Sequence, residues 1–439
     1  MIFILDFILA FNLWVAYTYY KNIVAPPVLM GSGMLAASLM ATSYYQEWHM
    51  QNFLDSSVII LGGGTLFFTF CCIVFSKFFP EKRVVKPQRI SMIIIREDRL
   101  VLFYCFAVII SLLFSVLTFR YYQTTFGLLD FSSLIVARRM DAWNNEFILK
   151  IPSYVRQMGT FTTIVTYLTI WIICHNRFSK VKIGGGLSFL LYSHLGFAIL
   201  GAILSGSKAP VIDIFVKFVV IYMFYHYINS GSMVIKRKTL LKLFLILVVF
   251  ALSFRGFSLL IGRNVANRTN SDLFAEYCGA EIKNFDVYNH SHSGLHRKTL
   301  WGENTFSSFY SEIYPNRLRQ TGEFQAVGNY TLGNVYTQFK PFFQDFGYIG
   351  VFVMCGLIAF FSMYFYRRAC NVFSRPNMIN IYIFIYTSFS FTLFMSFFSS
   401  RFTEFVCTLG WLRTCLYFYL LTLFFKYALT ISPNYLTKL

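Results

Sequence analysis

LVLFYCFAVIISLLFSVLTF, Leu100 to Phe119, lies between Arg99 and Arg120 and contains no charged residue. As an α-helix rising about 1.5 Å per residue, it crosses the roughly 30 Å hydrocarbon core of a bilayer. Comparable runs recur at 1–20, 24–43, 57–79, 154–174, 187–205, 210–229, 239–260, 346–366, 379–399 and 408–428. The pattern predicts an all-α polytopic membrane protein with about eleven transmembrane helices. Charged residues make up 13% of the 439, about half the share of a soluble domain, and mean hydropathy is +0.57. An ordinary soluble enzyme is excluded. A β-barrel would need alternating segments of about ten residues, and the chain has none.

The formal charge of +19 would suggest nucleic acid in a soluble chain. Here much of it lies in connectors: Lys21, the Lys77–Arg99 segment, Arg177 to Lys182, Lys236-Arg237-Lys238, and Arg367-Arg368 with Arg375. The span list puts all of these on one side, which the positive-inside bias makes cytoplasmic. No nucleic-acid partner is expected, and the C-terminus falls on the cytoplasmic side. Met1 to Asp6 lacks a basic region and a small-residue cleavage site, so 1–20 reads as a retained span. The nine cysteines show neither metal-ligand spacing nor a disulfide framework. Gly62-Gly63-Gly64 reads as a close-packing point inside a span, and Gly184-Gly185-Gly186 as a connector.

Three regions follow. Residues 1–260 form an N-terminal bundle of about eight spans, 261–345 a large outer loop, and 346–439 a C-terminal bundle of about three. Within the first, 120–153 reads as an amphipathic segment on the outer surface: Leu128, Leu129, Phe131, Leu134 and Ile135 precede Arg138 and Arg139. The outer loop is the only long hydrophilic stretch, and short connectors would suffice if it merely joined helices. It carries Arg263, Arg317, Arg319 and the histidines His290, His292 and His296.

No Walker motif, nucleotide fingerprint, zincin helix or nucleophile elbow occurs, so no cofactor or metal is expected. Energy must come from the substrate or from a gradient. That leaves transporters, and transferases with a membrane-borne activated donor. Arginine binds phosphate bidentately and stays charged. Arg138, Arg139, Arg255, Arg263, Arg317 and Arg401 are therefore candidate pyrophosphate or glycan contacts, against the alternative of headgroup snorkelling. Lys208, in the tight turn Ser205-Gly206-Ser207-Lys208-Ala209-Pro210, either snorkels or reaches the same phosphate. Transfer to a hydroxyl gains from a base; His290, His292, His296, Glu303, Glu312 and Asp345 are candidates, with His296 and Asp345 foremost. Asp345 sits where polar chain becomes a span, a costly position for a carboxylate without a partner, and Lys340 is a local candidate partner.

Gly333-Asn334-Val335-Tyr336-Thr337, followed by Pro341, Asp345-Phe346-Gly347 and Gly350, resembles the Wzy-type oligosaccharide repeat unit polymerases of bacterial O-antigen and capsule pathways. The Gly206-Ser207-Lys208 turn, Gly262-Arg263, and Gly302 to Thr305-Phe306 are similar too. The family commonly has arginine in that turn; lysine keeps the charge and loses the bidentate fork. The resemblance implies a GT-C-type glycosyltransferase of the bacterial inner membrane whose large loop and active site face the periplasm. It would move a growing glycan from undecaprenyl pyrophosphate onto a new lipid-linked repeat unit, without metal. The implied partners are undecaprenyl-pyrophosphate-linked glycans, membrane lipids, a chain-length regulator and the flippase of the pathway. An O-antigen ligase uses the same donor and is the nearest alternative. A lipid-linked oligosaccharide flippase or transporter would more often show short loops and two related halves.

Overall fold

The computed structural model describes residues 1–79, 93–127, 130–144, 149–179, 181–230, 269–291, 300–314, 323–371 and 379–431, with isolated positions between 234 and 259. Its helices are α1 (Ile2–Tyr20), α2 (Pro26–Ser43), α3 (Asp55–Phe78), α4 (Glu97–Phe126), α5 (Phe131–Asn144), α6 (Ser153–Phe178), α7 (Gly185–Leu204) and α8 (Ala209–Ser230). Then come α9 (Asn270–Cys278), α10 (Ala280–Ser291), α11 (Ser307–Ile313), α12 (Phe339–Cys370), α13 (Ile381–Phe394), α14 (Arg401–Val406) and α15 (Leu409–Lys426). Two short antiparallel pairs complete the fold: β1 (Ile93–Ile95) with β4 (Leu429–Ile431), and β2 (Gln325–Val327) with β3 (Tyr330–Gly333). The chain is an all-α membrane protein: α1, α3, α4, α6, α7, α8 and α12 are long and apolar enough to cross a bilayer. The other stretches read as spans coincide with α2, α13 and α15, which are shorter or less apolar. The span at 239–260 falls almost wholly outside the described residues.

The helices are built for lipid rather than for water. In α4 the buried seam is Leu100, Tyr104, Ala107, Ser111, Ser115, Thr118 and Tyr122, spaced three or four apart. Its opposite face exposes Leu102, Phe106, Ile109 and Val116. Small and hydroxyl residues inside with apolar residues outside is the arrangement of a helix solvated by hydrocarbon. Phe114 reaches Gly159 of α6 and Gly201 of α7, where an added Cβ would come within 2.7 Å of its ring. A π-helical turn at Ile59–Gly63 interrupts α3. Just after it, a Cβ on Gly64 would meet the Phe339 ring at 2.6 Å, so the glycine run does let α3 and α12 approach closely. α13 is the hub, buried from Ile383 through Leu393 and packed against α2, α8, α12, α14 and α15. A helix apolar on every side needs such surroundings.

The bundle has a basic end and a polar end. At the basic end Asn22 donates to the Tyr366 hydroxyl (2.6 Å) and Tyr19 bonds Ser76 (3.0 Å), while the β1–β4 pair brings Ile431 back to Ile93. Lys21, Lys77, Arg96 and Arg367 lie at the helix ends next to these contacts.

The polar interval is more than connecting chain. Its described parts fold into α9, α10, α11 and the β2–β3 hairpin. In α10, Glu281, Lys283, Asn284, Asp286 and Asn289 are all buried. Asp286 Oδ1 accepts from the Leu54 N–H and the Ser57 hydroxyl, both at 2.9 Å, and the Asn289 amide donates to Ser56 and Ser57. These bonds lock α10 onto the start of α3; buried polar groups persist because they are bonded. In the segment after α4, Leu134 and Ile135 of α5 are buried against Tyr122 and Leu204, and Leu128 and Leu129 lie outside the described residues.

Candidate functional site

A cavity of ≈ 300 Å³ opens at the polar end. One wall is Glu303 and Asn304 with Ser307, Tyr310 and Ser311 of α11. The second is Asn334 to Thr337 and the head of α12, with Lys340, Pro341 and Gln344. The third is Phe398 to Arg401 and Glu404. Two cations, two carboxylates, three amides, several hydroxyls and three aromatic rings thus surround one space.

The second wall is held from behind. Asn284 of α10 donates to the carbonyls of Leu332 (3.0 Å) and Val335 (2.8 Å). Gly333 sits at φ +77°, a left-handed conformation that favours glycine. The Tyr336 hydroxyl donates to the Glu323 carbonyl at 2.8 Å and accepts from the Gln325 amide at 3.2 Å. Burial raises the Tyr336 pKa, and the Gln325 donor opposes that shift. The Lys340 ammonium lies 3.4 Å from the centroid of the Tyr336 ring and 4.8 Å from that of Tyr288, so aromatic faces orient it.

Asp345-Phe346-Gly347 joins the first wall to the second. Asp345 accepts from the Asn304 amide and from the Thr305 N–H, each at 2.7 Å. Phe346 packs on Trp301, centroids 5.0 Å apart, and Gly302 takes φ +70° beneath it, where a Cβ would come within 3.1 Å of Phe306 and Phe346. Gly347 has φ 65°, ψ −159° inside α12, a region essentially reserved for glycine. The helix kinks there, so its first turns belong to the cavity and the remainder to the membrane. This explains the span boundary read at 346. Both Asp345 oxygens are engaged within the chain, which makes it a clamp on the 302–306 turn.

Arg401 begins α14 on the third wall. Its guanidinium lies 3.8 Å from Glu404 and 5.7 Å from the Phe398 ring centroid. Its Nε, the Ser399 hydroxyl and the Thr337 hydroxyl are buried without a hydrogen-bond partner in the described structure. Phe398 in turn packs on Tyr277 of α9 at 5.0 Å. On Tyr277 sits the Lys208 ammonium, 5.1 Å from its centroid. Two aromatic rings therefore connect the α7–α8 turn to the cavity wall.

The turn itself is closed. Lys208 is 2% exposed, near Cys278 and the buried Glu281. Burial pushes the Glu281 carboxyl well above its usual range, and the Cys278 thiol up likewise. Arg138 donates to the Ser205 carbonyl at 2.5 Å and stacks over Tyr122 at 5.9 Å, closing the end of α7. Arg139 is partly buried on α5. His290 hydrogen-bonds the Asn52 carbonyl at 3.0 Å, and Glu312 accepts the Leu409 N–H at 3.0 Å at the head of α15. Neither lines the cavity. Arg255, Arg263, His292, His296 and Arg317 lie outside the described residues. Of the candidates read as primary site residues, Arg401 lines the cavity and Asp345 holds its walls together. Sequence reasoning missed Glu404, Tyr310, Tyr336 and Gln344 as lining residues. Tyr336 lay within the quoted motif, and Glu404 three residues after Arg401.

Comparison of the chain with protein-family models, with curated proteins and with solved structures finds no match in any of the three.

Proposed function

We propose that this protein polymerises lipid-pyrophosphate-linked oligosaccharide repeat units at the periplasmic face of a bacterial inner membrane. The observation that carries the reading is the meeting of three separate sequence blocks around one cavity. Asn334 to Thr337 forms one wall, Asp345-Phe346-Gly347 clamps the Gly302–Phe306 turn, and Arg401 lines another. The lining has the chemistry a sugar needs: rings to stack on, amides and carboxylates to bond hydroxyls, and fixed cations for phosphate. A cavity that is mostly apolar with few polar groups, the usual form for hydrophobic ligands, would not suit a glycan.

In this reading Lys340 and Arg401 neutralise the charge that grows on the leaving pyrophosphate, an electrostatic contribution of the oxyanion-hole kind. Their placement at a membrane face lets the polyisoprenyl chain remain in lipid while the glycan enters the cavity. The positive-inside bias puts the basic end in the cytoplasm and the cavity outside.

The test is the length distribution of surface glycan in cells lacking the gene, with and without a plasmid copy. A lipid capped by one repeat unit and no ladder, with the ladder restored by the plasmid, is expected. Long polymer left on undecaprenyl pyrophosphate would instead mean a ligase, and repeat units trapped on the cytoplasmic face a flippase. A periplasm-dependent reporter fused near Asn289 should be active and one near Arg89 silent; the reverse would refute the orientation.

A further inference from the structure

Three polar atoms of the cavity wall are buried and make no hydrogen bond in the described structure: Thr337 Oγ1, Ser399 Oγ and Arg401 Nε. Among the described lining residues no other has such an atom. The fold gathers the three at one seam. The Gln338 N–H donates to the Ser396 carbonyl at 2.9 Å, which joins the chain entering α12 to the Met395–Phe397 turn at the end of α13. Thr337 precedes the donor of that bond, and Ser399 and Arg401 follow its acceptor, so the second and third walls meet there. Thr337 is fully buried. The Arg401 side chain is 39% exposed, so its guanidinium reaches the open cavity while Nε lies back in the wall. Glu404 lies 3.8 Å from Nη1, at another corner of the same guanidinium.

Buried polar groups without partners cost folding free energy, and three at one wall fit an acceptor that arrives with a ligand. Arginine Nε–H only donates, and its guanidinium is always charged, which excludes a cationic partner. The two hydroxyls turn about a single bond and can each donate as well. A negatively charged group with several acceptor oxygens satisfies all three donors, and phosphate is such a group. A sugar hydroxyl offers one oxygen and a proton that itself needs an acceptor.

Resting on the polymerase reading, we infer that Thr337 and Ser399, with Arg401 Nε, bind the pyrophosphate oxygens of the lipid-linked donor. The cations Lys340 and Arg401 supply charge, and the two neutral hydroxyls fix how the pyrophosphate lies against the wall. The same oxygens remain once the glycan has left, so the subsite also binds undecaprenyl pyrophosphate that carries no sugar.

The experiment uses the full-length protein in nanodiscs, as wild type, Thr337→Val and Ser399→Ala. It measures affinity for undecaprenyl pyrophosphate, for inorganic pyrophosphate and for the lipid-free repeat-unit oligosaccharide. It also records the melting temperature without ligand and polymer formation from the lipid-linked repeat unit. Thr337→Val keeps the shape of the side chain and removes its hydroxyl. A hydrogen bond to a charged group is worth about 10- to 100-fold in affinity, and each variant should bind undecaprenyl pyrophosphate more weakly by that factor. The melting temperature without ligand should stay level or rise, because a buried donor with no partner has been removed. Unchanged binding of undecaprenyl pyrophosphate in both variants overturns the subsite. So does a loss confined to the free oligosaccharide, which would make the hydroxyls sugar contacts, or to inorganic pyrophosphate, which would make the ligand soluble. A melting temperature that falls in step with affinity overturns it too, since the hydroxyls would then be structural. A wild-type protein whose hydroxyls bind undecaprenyl pyrophosphate as expected, yet which never extends the lipid-linked repeat unit, upholds the subsite and refutes the polymerase reading.

Discussion

Arg401 and Lys208 look alike in the sequence: each is a cation at the end of an apolar run, close to serine. In the fold they stand at the two ends of one aromatic pair, Tyr277 and Phe398, and their surroundings are opposite. Arg401 lines a cavity beside Glu404. Lys208 is buried under Tyr277, with Arg138 capping the same turn. A phosphate can reach the first and cannot reach the second unless the turn opens. A cation at the end of a span is thus either a ligand contact or a packing element, and accessibility decides which.

The widest gap between the two is expected on activity. Arg401→Ala should cut polymer formation about 10²–10³-fold, the usual cost of losing one fixed donor to a developing negative charge, at normal protein level. Arg401→Lys should recover part of it. A full-length ladder from Arg401→Ala would break the comparison. Lys208→Met keeps the volume and removes the charge, and is expected to leave the ladder intact while lowering the melting temperature of the purified protein. Polymer lost at unchanged melting temperature would make Lys208 a ligand contact after all.

Smaller effects test the frame around Arg401. Gly347→Ala forces a side chain into a glycine-only conformation and should destabilise by about 1–3 kcal/mol, with an altered cavity and shortened polymer. Asp345→Ala leaves the Thr305 N–H without its acceptor, a loss of about 1–3 kcal/mol for a buried donor. Asp345→Asn, which keeps an acceptor oxygen, should recover most of the melting temperature and the ladder. If Asp345→Asn were as inactive as a catalytic knock-out at unchanged melting temperature, the carboxylate would be doing chemistry rather than clamping. The smallest effect is expected at Gly333→Ala, where φ is positive and no atom crowds the added methyl: about 1 kcal/mol, measured by thermal unfolding.

Most helices could be read from the chain because lipid imposes a simple rule. A span must be apolar for about 20 residues and satisfy its own backbone, so Leu100 to Phe119 announces itself. The boundary at 346 was also visible, since Asp345 and Gly347 interrupt the run, although the helix in fact begins at Phe339 and kinks. The fold within the polar interval was not legible, for a physical reason. Hydropathy reports the solvent a segment would choose alone, and most of α10 is buried: its Asp286, Asn284 and Asn289 are bonded to residues more than 40 positions away in sequence. Glu404 escaped notice because a carboxylate three residues after an arginine reads as a local ion pair.

The sequence by itself determined the membrane class, the long apolar helices and the small residues at one close helix contact. All of these follow from local composition and from what a bilayer tolerates. Only the tertiary structure decided which charges are accessible, that Asp345 clamps the Gly302–Phe306 turn, and that Tyr336, Lys340, Arg401 and Glu404 share one cavity. Those relations depend on contacts between residues far apart in the chain, and no local pattern encodes the distance between them.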